Sequence, residues 1–329
     1  MKEITAGTRP ADIEYFSDIA PYILYRCVPK DVPAVEMTFE EMHEDQPTWH
    51  VQSMIDGACH LRDIAGSRRI LWDVYTEEEA EDDPEKREVK LLYLPADFPT
   101  GKPFIVCVAG GAYTCVCSLV ESIPAARHFN ALGYPVFVLN YRVGNGEKPC
   151  LPKPVEDLAA AVRMILANLT AFGLTNPEYI VNGYSAGGSV VTIYGTEAKG
   201  WAHYGLPKPK ALFAVYPALS TSPVFMTDPG MRAWFMGIMF GKDFDEEYAA
   251  SFNVPENMTP AYPPCYIVHA ADDPVVSCEQ SKCLKRLLDE EGIPAELELA
   301  PFGGHGWGDG SGSGAEGWPE RAAAFAEGL

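Results

Sequence analysis

The segment Tyr179-Ile-Val-Asn-Gly-Tyr-Ser-Ala-Gly-Gly-Ser189 decides the fold. Its first four residues form an apolar, β-rich run of the kind that is buried on both faces of a sheet. Gly183 to Gly188 then match G-x-S-x-G, the turn that lifts a serine out of a strand end and into the start of a helix. Glycine is needed on both sides of Ser185, because a Cβ there would collide with the neighbouring strand and helix. A helix-like stretch starts near Ser189, so the segment reads as one strand-turn-helix unit of an α/β sheet.

The same alternation continues in both directions. Residues 104–109, 135–140, 211–216 and 265–270 are continuous apolar runs, and 295–300 is a last strand-like stretch. Residues 118–132, 155–172, 189–199 and 278–291 read as helices, closed by Gly133, Gly173, Gly200 and Gly292 in the C-cap position. Such repeats predict a mostly parallel central sheet with right-handed crossovers and helices on both faces. Upstream, 69–75 and 88–94 predict an antiparallel hairpin whose turn, 76–87, is acidic and solvated. Residues 1–67 predict a helical N-terminal extension. Thr38 and Glu41 fit a capping box there, and Val51, Met54, Ile55, Ala58 and Leu61 share one helical face. The α/β domain then spans 68–329, and 221–260, crowded with Met and aromatic residues, interrupts it as a cap insertion or an extra helical layer.

Composition narrows the possible roles. A chain of 329 residues that is 47% hydrophobic and 22% charged can bury a sizeable core, which excludes a disordered tail or a small stapled module. A net charge of −21 argues against nucleic acid and anionic membrane surfaces as partners. There is no apolar run of the length a membrane span needs, and the N-terminus has no secretory pattern, so a cytoplasmic location is expected. The nine cysteines are scattered, with no CxxC pair and no histidine partner spacing. They read as free thiols, with Cys115 and Cys117 as the pair to which a redox role would attach; no metal and no cofactor are expected.

A serine hydroxyl is a poor nucleophile at neutral pH, so Ser185 needs a histidine base and a carboxylate that holds the histidine's tautomer. Of seven histidines, His305 lies in a glycine-dense loop, Phe302-Gly-Gly-His-Gly-Trp307, after the last strand, whereas His269 lies within a strand and reads as core. Asp272 and Asp273 directly follow the strand ending at Ala270. One of them is expected to orient His305 while the other faces solvent, and Asp273, fixed by Pro274, is favoured. Ser185, Asp273 and His305 would each lie just past a strand, at the sheet edge where open α/β sheets place their sites. Acyl transfer also needs oxyanion donors. The turn Ala109-Gly-Gly-Ala-Tyr113 offers the N–H of Gly111 or Ala112, to be joined by that of Ala186. Tyr113 and Tyr184, with the Met- and aromatic-rich insertion, are expected to line an acyl or aryl pocket.

Taken together, these motifs resemble the α/β-hydrolase superfamily, and within it the esterase branch related to acetyl and feruloyl esterases and to hormone-sensitive-lipase-like carboxylesterases. The resemblance rests on AGGAY where that branch has HGGG, LNYR at 139–142, NGYSAGG at 182–188, HAADDPVV at 269–276 and GGHGWG at 303–308, and it covers roughly 68–329. It implies Ser185 as nucleophile, Asp273 as acid and His305 as base in a serine carboxylic-ester hydrolase that acts, through an acyl-enzyme, on small-molecule esters of acetyl or feruloyl type. The chain departs from the branch at Ala109, where the family has histidine, and at Ala112, where it has a third glycine. A prolyl-oligopeptidase-like peptidase shares the triad order, but no propeller repeat is visible. A non-catalytic binding protein on the same fold would be expected to have lost a triad member.

Overall fold

The computed structural model describes residues 2–145 and 148–329. Helices α1 (Ala20–Ile23), α2 (Phe39–Asp45) and α3 (Val51–Ala65) precede strands β1 (Leu71–Asp73), β2 (Lys90–Leu94) and β3 (Phe104–Val108). Strand and helix then alternate through α4 (Ser122–Ala131), β4 (Val136–Asn140), α5 (Lys153–Ala167), β5 (Tyr179–Tyr184), α6 (Ser185–Tyr194) and β6 (Ala211–Val215). Helices α7 (Pro229–Phe240), α8 (Glu246–Ala250) and α9 (Val254–Asn257) interrupt the pattern before β7 (Cys265–Ala270), α10 (Glu279–Glu290), β8 (Ala295–Ala300) and α11 (Trp318–Glu327).

The eight strands form one sheet in the order β1-β2-β4-β3-β5-β6-β7-β8. β2 runs antiparallel to both β1 and β4, and every other pairing is parallel. The chain leaves β3 for β4 on one side and later places β5 on the other, so the carboxyl ends of β3 and β5 face a crevice. Alternation along the strands explains the continuous apolar runs. In β3, Phe104, Val106 and Val108 pack on one face with Leu158, Val190 and Leu284. Ile105 and Cys107 pack on the other with Met54, Phe129 and Trp318. Both faces are covered by helices, so both sets must be apolar.

Several expected details change. The N-terminal stretch is mostly irregular up to Thr38, with 3-10 turns and the short α1, because Pro10, Pro21, Pro29 and Pro33 interrupt any longer helix. From Thr38 onward the stretch is mainly helical, in α2 and α3. The capping box closes with Thr38 N–H to Glu41 Oε2 at 2.7 Å and Glu41 N–H to Thr38 Oγ1 at 3.1 Å. α3 buries Met54, Ala58 and Leu61, with Val51 and Ile55 partly covered. Gly133, Gly173 and Gly292 take left-handed conformations after their helices, but Gly200 does not. α6 has already ended at Tyr194, and Gly200 is pressed against the Tyr194 carbonyl, where a side chain has no room. The 221–260 segment divides its aromatic content. Met236, Met239, Phe240 and Phe252 are buried in the core, while Met231 and Trp234 stay about half exposed.

Candidate active site

Ser185 sits where β5 ends and α6 begins, with φ at 50°, a left-handed value that costs a non-glycine residue energy. The surrounding glycines make this turn possible. A Cβ at Gly183 would enter the Gly187 carbonyl and Val191, and one at Gly187 would enter the carbonyls of Val108 and Ala109 at the end of β3. The helix therefore starts at the serine itself, four residues earlier than its apolar pattern suggests.

The loop after β8 brings His305 over this edge, with Gly304 at φ 63° and Gly306 at φ 84° on either side of it. Its Nε2 lies 2.8 Å from Ser185 Oγ and its Nδ1 2.7 Å from Asp273 Oδ2. Because a carboxylate only accepts, Nδ1 carries the proton of the neutral ring and donates it to Asp273, leaving the Nε2 lone pair to face the serine hydroxyl. Asp273 is firmly held. Its Oδ1 accepts from the N–H groups of Val275 at 2.8 Å and Val276 at 2.9 Å. Burial alone would raise its pKa, but hydrogen bonds from His269 and His305, the charge of His305 and the Val276 N–H outweigh burial and hold it at about 2. Asp272 turns outward and accepts from Gly304 N–H at 2.9 Å, bracing the histidine loop instead of orienting the ring.

The turn after β3 presses against the serine, with Gly110 so close to Ser185 Cβ that no side chain fits between them. Gly111, Ala112 and Tyr113 all have positive φ, at 135°, 51° and 61°. The Gly111 carbonyl accepts from Thr114 N–H at 2.9 Å and Cys115 N–H at 3.1 Å. Among the described residues, the N–H groups of Gly111 and Ala112 have no acceptor within the chain. Ala186 lies in the first turn of α6, where N–H groups lack an intrahelical partner. Three donors are thus unspent beside Ser185.

Two cavities meet at Ser185. One, of about 340 Å³, is walled by Ala112, Ala218, Phe225, Met226, Met231, Trp234 and Phe235. The other, of about 520 Å³, is bordered by Arg26, Asp45, Gln46, Trp49 and His305. Tyr113 and Tyr184, expected as pocket walls, reach neither cavity, and both are fully buried. Tyr184 precedes the serine in β5, and its ring packs 6.1 Å from Tyr216 and 6.0 Å from Trp318. Tyr113 turns inward and packs 5.9 Å from Phe235, which itself forms the wall.

Three further residues, His269, Glu121 and Tyr216, support the site. His269, read as core, is indeed buried, yet its Nε2 reaches Asp273 Oδ2 at 3.2 Å and the Val276 carbonyl at 2.9 Å. Ser281 Oγ lies 2.7 Å from its Nδ1. Two acceptors at Nε2 place the proton there, so Nδ1 accepts from Ser281. Glu121 is buried with Oε2 accepting from Gly110 N–H at 2.5 Å and Oε1 from Tyr216 O–H at 3.0 Å. Burial drives its pKa up to about 7, against the lowering effect of Gly110, His305 and Tyr216. The Tyr216 ring in turn packs 4.9 Å from His305. Potential metal ligands also converge here, in the thiols of Cys27, Cys115 and Cys117.

The sheet order and its switch point are those of the α/β-hydrolase fold. A family model described as BD-FAE matches residues 91–209. An acetyl ester-xyloside bifunctional hydrolase from Caldicellulosiruptor lactoaceticus superposes with TM-score 0.66 at 22% identity, over 78% of this chain and 95% of that one. A carboxylesterase from Lactobacillus plantarum does so with TM-score 0.60 at 22% identity, over 73% and 92%. In sequence, the chain is similar to an acetylxylan esterase of Xylanibacter ruminicola, 25% identical over 228 residues, which are 67% of this chain and 44% of that protein. It is also similar to endo-1,4-beta-xylanase B of Butyrivibrio fibrisolvens, 26% identical over 209 residues, 61% of this chain and 32% of that protein. The chain thus spans less than half of the length of each of these two curated relatives. The proteins it resembles in this way include a carboxylesterase and an acetylxylan esterase.

Proposed function

We propose that the protein is a serine carboxylic-ester hydrolase working through an acyl-enzyme, with Ser185, His305 and Asp273 as the catalytic triad. The observation that carries this reading is the unbroken hydrogen-bond chain from Ser185 Oγ through both nitrogens of His305 to a buried, ionised Asp273. Ser185 Oγ attacks the ester carbonyl while His305 Nε2 takes its proton. The oxyanion is received by the N–H groups of Ala186 and of Gly111 or Ala112. The imidazolium, held by Asp273, then protonates the departing alkoxide, and water repeats the sequence to release the acid.

The cavity walled by Met and aromatic side chains suits the acyl group, and the one bordered by Arg26, Asp45 and Gln46 suits the alcohol. A wall of Phe225, Met226, Met231, Trp234 and Phe235 favours acyl groups from acetyl up to a feruloyl-sized aromatic over long lipid chains. The acetylxylan esterase among the relatives supports a sugar as the alcohol side. The test compares wild type and Ser185→Ala on p-nitrophenyl acetate, then wild type on a panel of acetyl, feruloyl and longer-chain esters. Loss of turnover in a folded Ser185→Ala supports the mechanism, and undiminished turnover overturns it.

A further inference from the structure

Nothing in the proposed hydrolysis uses the three thiols beside the active site. Cys27 comes from the irregular N-terminal stretch, and Cys115 and Cys117 from the turn that follows Gly110 and Gly111. Cys117 Sγ lies 3.8 Å from Cys115 Sγ and 3.9 Å from Cys27 Sγ, and all three sulfurs fall within 4.8 Å of one another. Cys27 and Cys117 are buried and Cys115 is half-buried, and all three border the larger of the two cavities. Cys107 and Cys265, by contrast, are buried inside strands, as isolated thiols that pack like small hydrophobes are.

The spacing matches a specific chemistry. Zinc–sulfur bonds of about 2.3 Å in tetrahedral geometry put sulfurs about 3.8 Å apart. The chain holds the sulfurs in place through the backbone on every side. Val116 N–H donates to the Tyr25 carbonyl at 2.9 Å, Cys117 N–H to Gly110 at 3.0 Å, and Ala34 N–H to the Cys27 carbonyl at 2.8 Å. Cys115 N–H is bound to Gly111, so two of these anchors end on the turn that offers the oxyanion donors.

We infer that Cys27, Cys115 and Cys117 form a three-thiolate site for a thiophilic divalent cation of the zinc class, with its fourth coordination position open to the cavity. Each thiol releases its proton to solvent as its metal–sulfur bond forms, so a divalent ion bound by three thiolates carries a net charge of −1 and takes a water as fourth ligand. Thiolate donors select against magnesium and calcium, which need oxygen. A bound ion staples the N-terminal stretch to the oxyanion turn, so loading stiffens both. This site does not depend on whether Ser185 hydrolyses esters.

The test uses the reduced, chelator-treated full chain, titrated with Co²⁺ as a spectroscopic probe. One equivalent is expected to give intense thiolate-to-cobalt charge-transfer absorption, which stoichiometric Zn²⁺ abolishes and excess Mg²⁺ or Ca²⁺ leaves unchanged. Cys115→Ser, at the half-buried position, is expected to lose that absorption, whereas Cys59→Ser and Cys283→Ser keep it. In the unmodified protein, Zn²⁺ is expected to protect only the peptides carrying Cys27, Cys115 and Cys117 from alkylation, a readout that needs no variant to fold. Absence of the absorption, its persistence in Cys115→Ser, or protection of other cysteines instead would overturn the site.

Discussion

Glu121 offers a quantitative test of how the proposed oxyanion turn is built. Its carboxyl is buried and holds Gly110 N–H and Tyr216 O–H, and burial lifts its pKa from 4.5 to about 7. Between those two values the folded chain keeps a proton that the unfolded chain has lost. Stability therefore falls as pH rises through this window and is flat above it. At about 1.4 kcal/mol per unit, the total is about 3 kcal/mol. A chain of this length has an unfolding entropy of about 0.7 kcal/mol/K, so the effect amounts to about 4–5 °C in Tm. Glu121→Gln cannot ionise; its oxygen accepts from Gly110 while its NH2 must donate to the Tyr216 oxygen, turning the Tyr216 O–H away at a cost that is the same at every pH, so the pH dependence of the difference is what is read. Calorimetry of both proteins from pH 5 to pH 8 should show the variant gaining about 4 °C on wild type across the range, with other titrating groups cancelling in the difference. A difference that stays constant with pH would refute the idea that this carboxyl is held near neutrality by burial. Glu121→Ala is the harsher change. It leaves a buried N–H without an acceptor, at a cost of about 1–3 kcal/mol, and kcat should fall with it because Gly110 leads into the donor turn.

The remaining predictions concern the triad, the turn and the cavity. Asp273→Asn would place an amide NH2 against His305 Nδ1, moving the ring proton to Nε2, so kcat should drop by about 10³–10⁴-fold with the fold intact by circular dichroism. Because its folded pKa of about 2 lies below the ordinary 3.8, Asp273 contributes about 2 kcal/mol above pH 4 that is lost as pH falls toward 2. The stability gap between wild type and Asp273→Asn in acid melts should narrow accordingly. Gly187→Ala drives a methyl into the β3 carbonyls and should cost about 1–3 kcal/mol in urea denaturation while lowering activity. Trp234→Ala, at a half-exposed cavity wall, should raise KM for feruloyl esters about tenfold and leave Tm unchanged.

What could be read in the chain follows from how each feature is encoded. The parallel sheet was legible because burial on both faces forces unbroken apolar runs, and the Ser185 turn because its crowding admits only glycine at Gly183 and Gly187. The Asp272/Asp273 choice was only half legible. Adjacent carboxylates look alike in sequence, and the difference arises from Val275 and Val276 turning their N–H groups onto one of them. Tyr113 and Tyr184 were misread because proximity to the serine along the chain says nothing about which face of the sheet a side chain takes. His269 lies only four positions from Asp273 and is legible as core, whereas Glu121 and the joining of Cys27 to the Cys115/Cys117 pair are unmarked in the sequence for a shared reason. Each acts through a partner brought to it by folding, as Glu121 reaches Tyr216 across 95 positions and Cys117 reaches Cys27 across 90. Local spacing rules find ligands that lie on one turn, such as a CxxC pair, and pass over sites assembled from distant segments. The groups that position the proposed triad therefore had to be found in three dimensions, although the triad residues themselves stand at strand ends that the apolar pattern already marks.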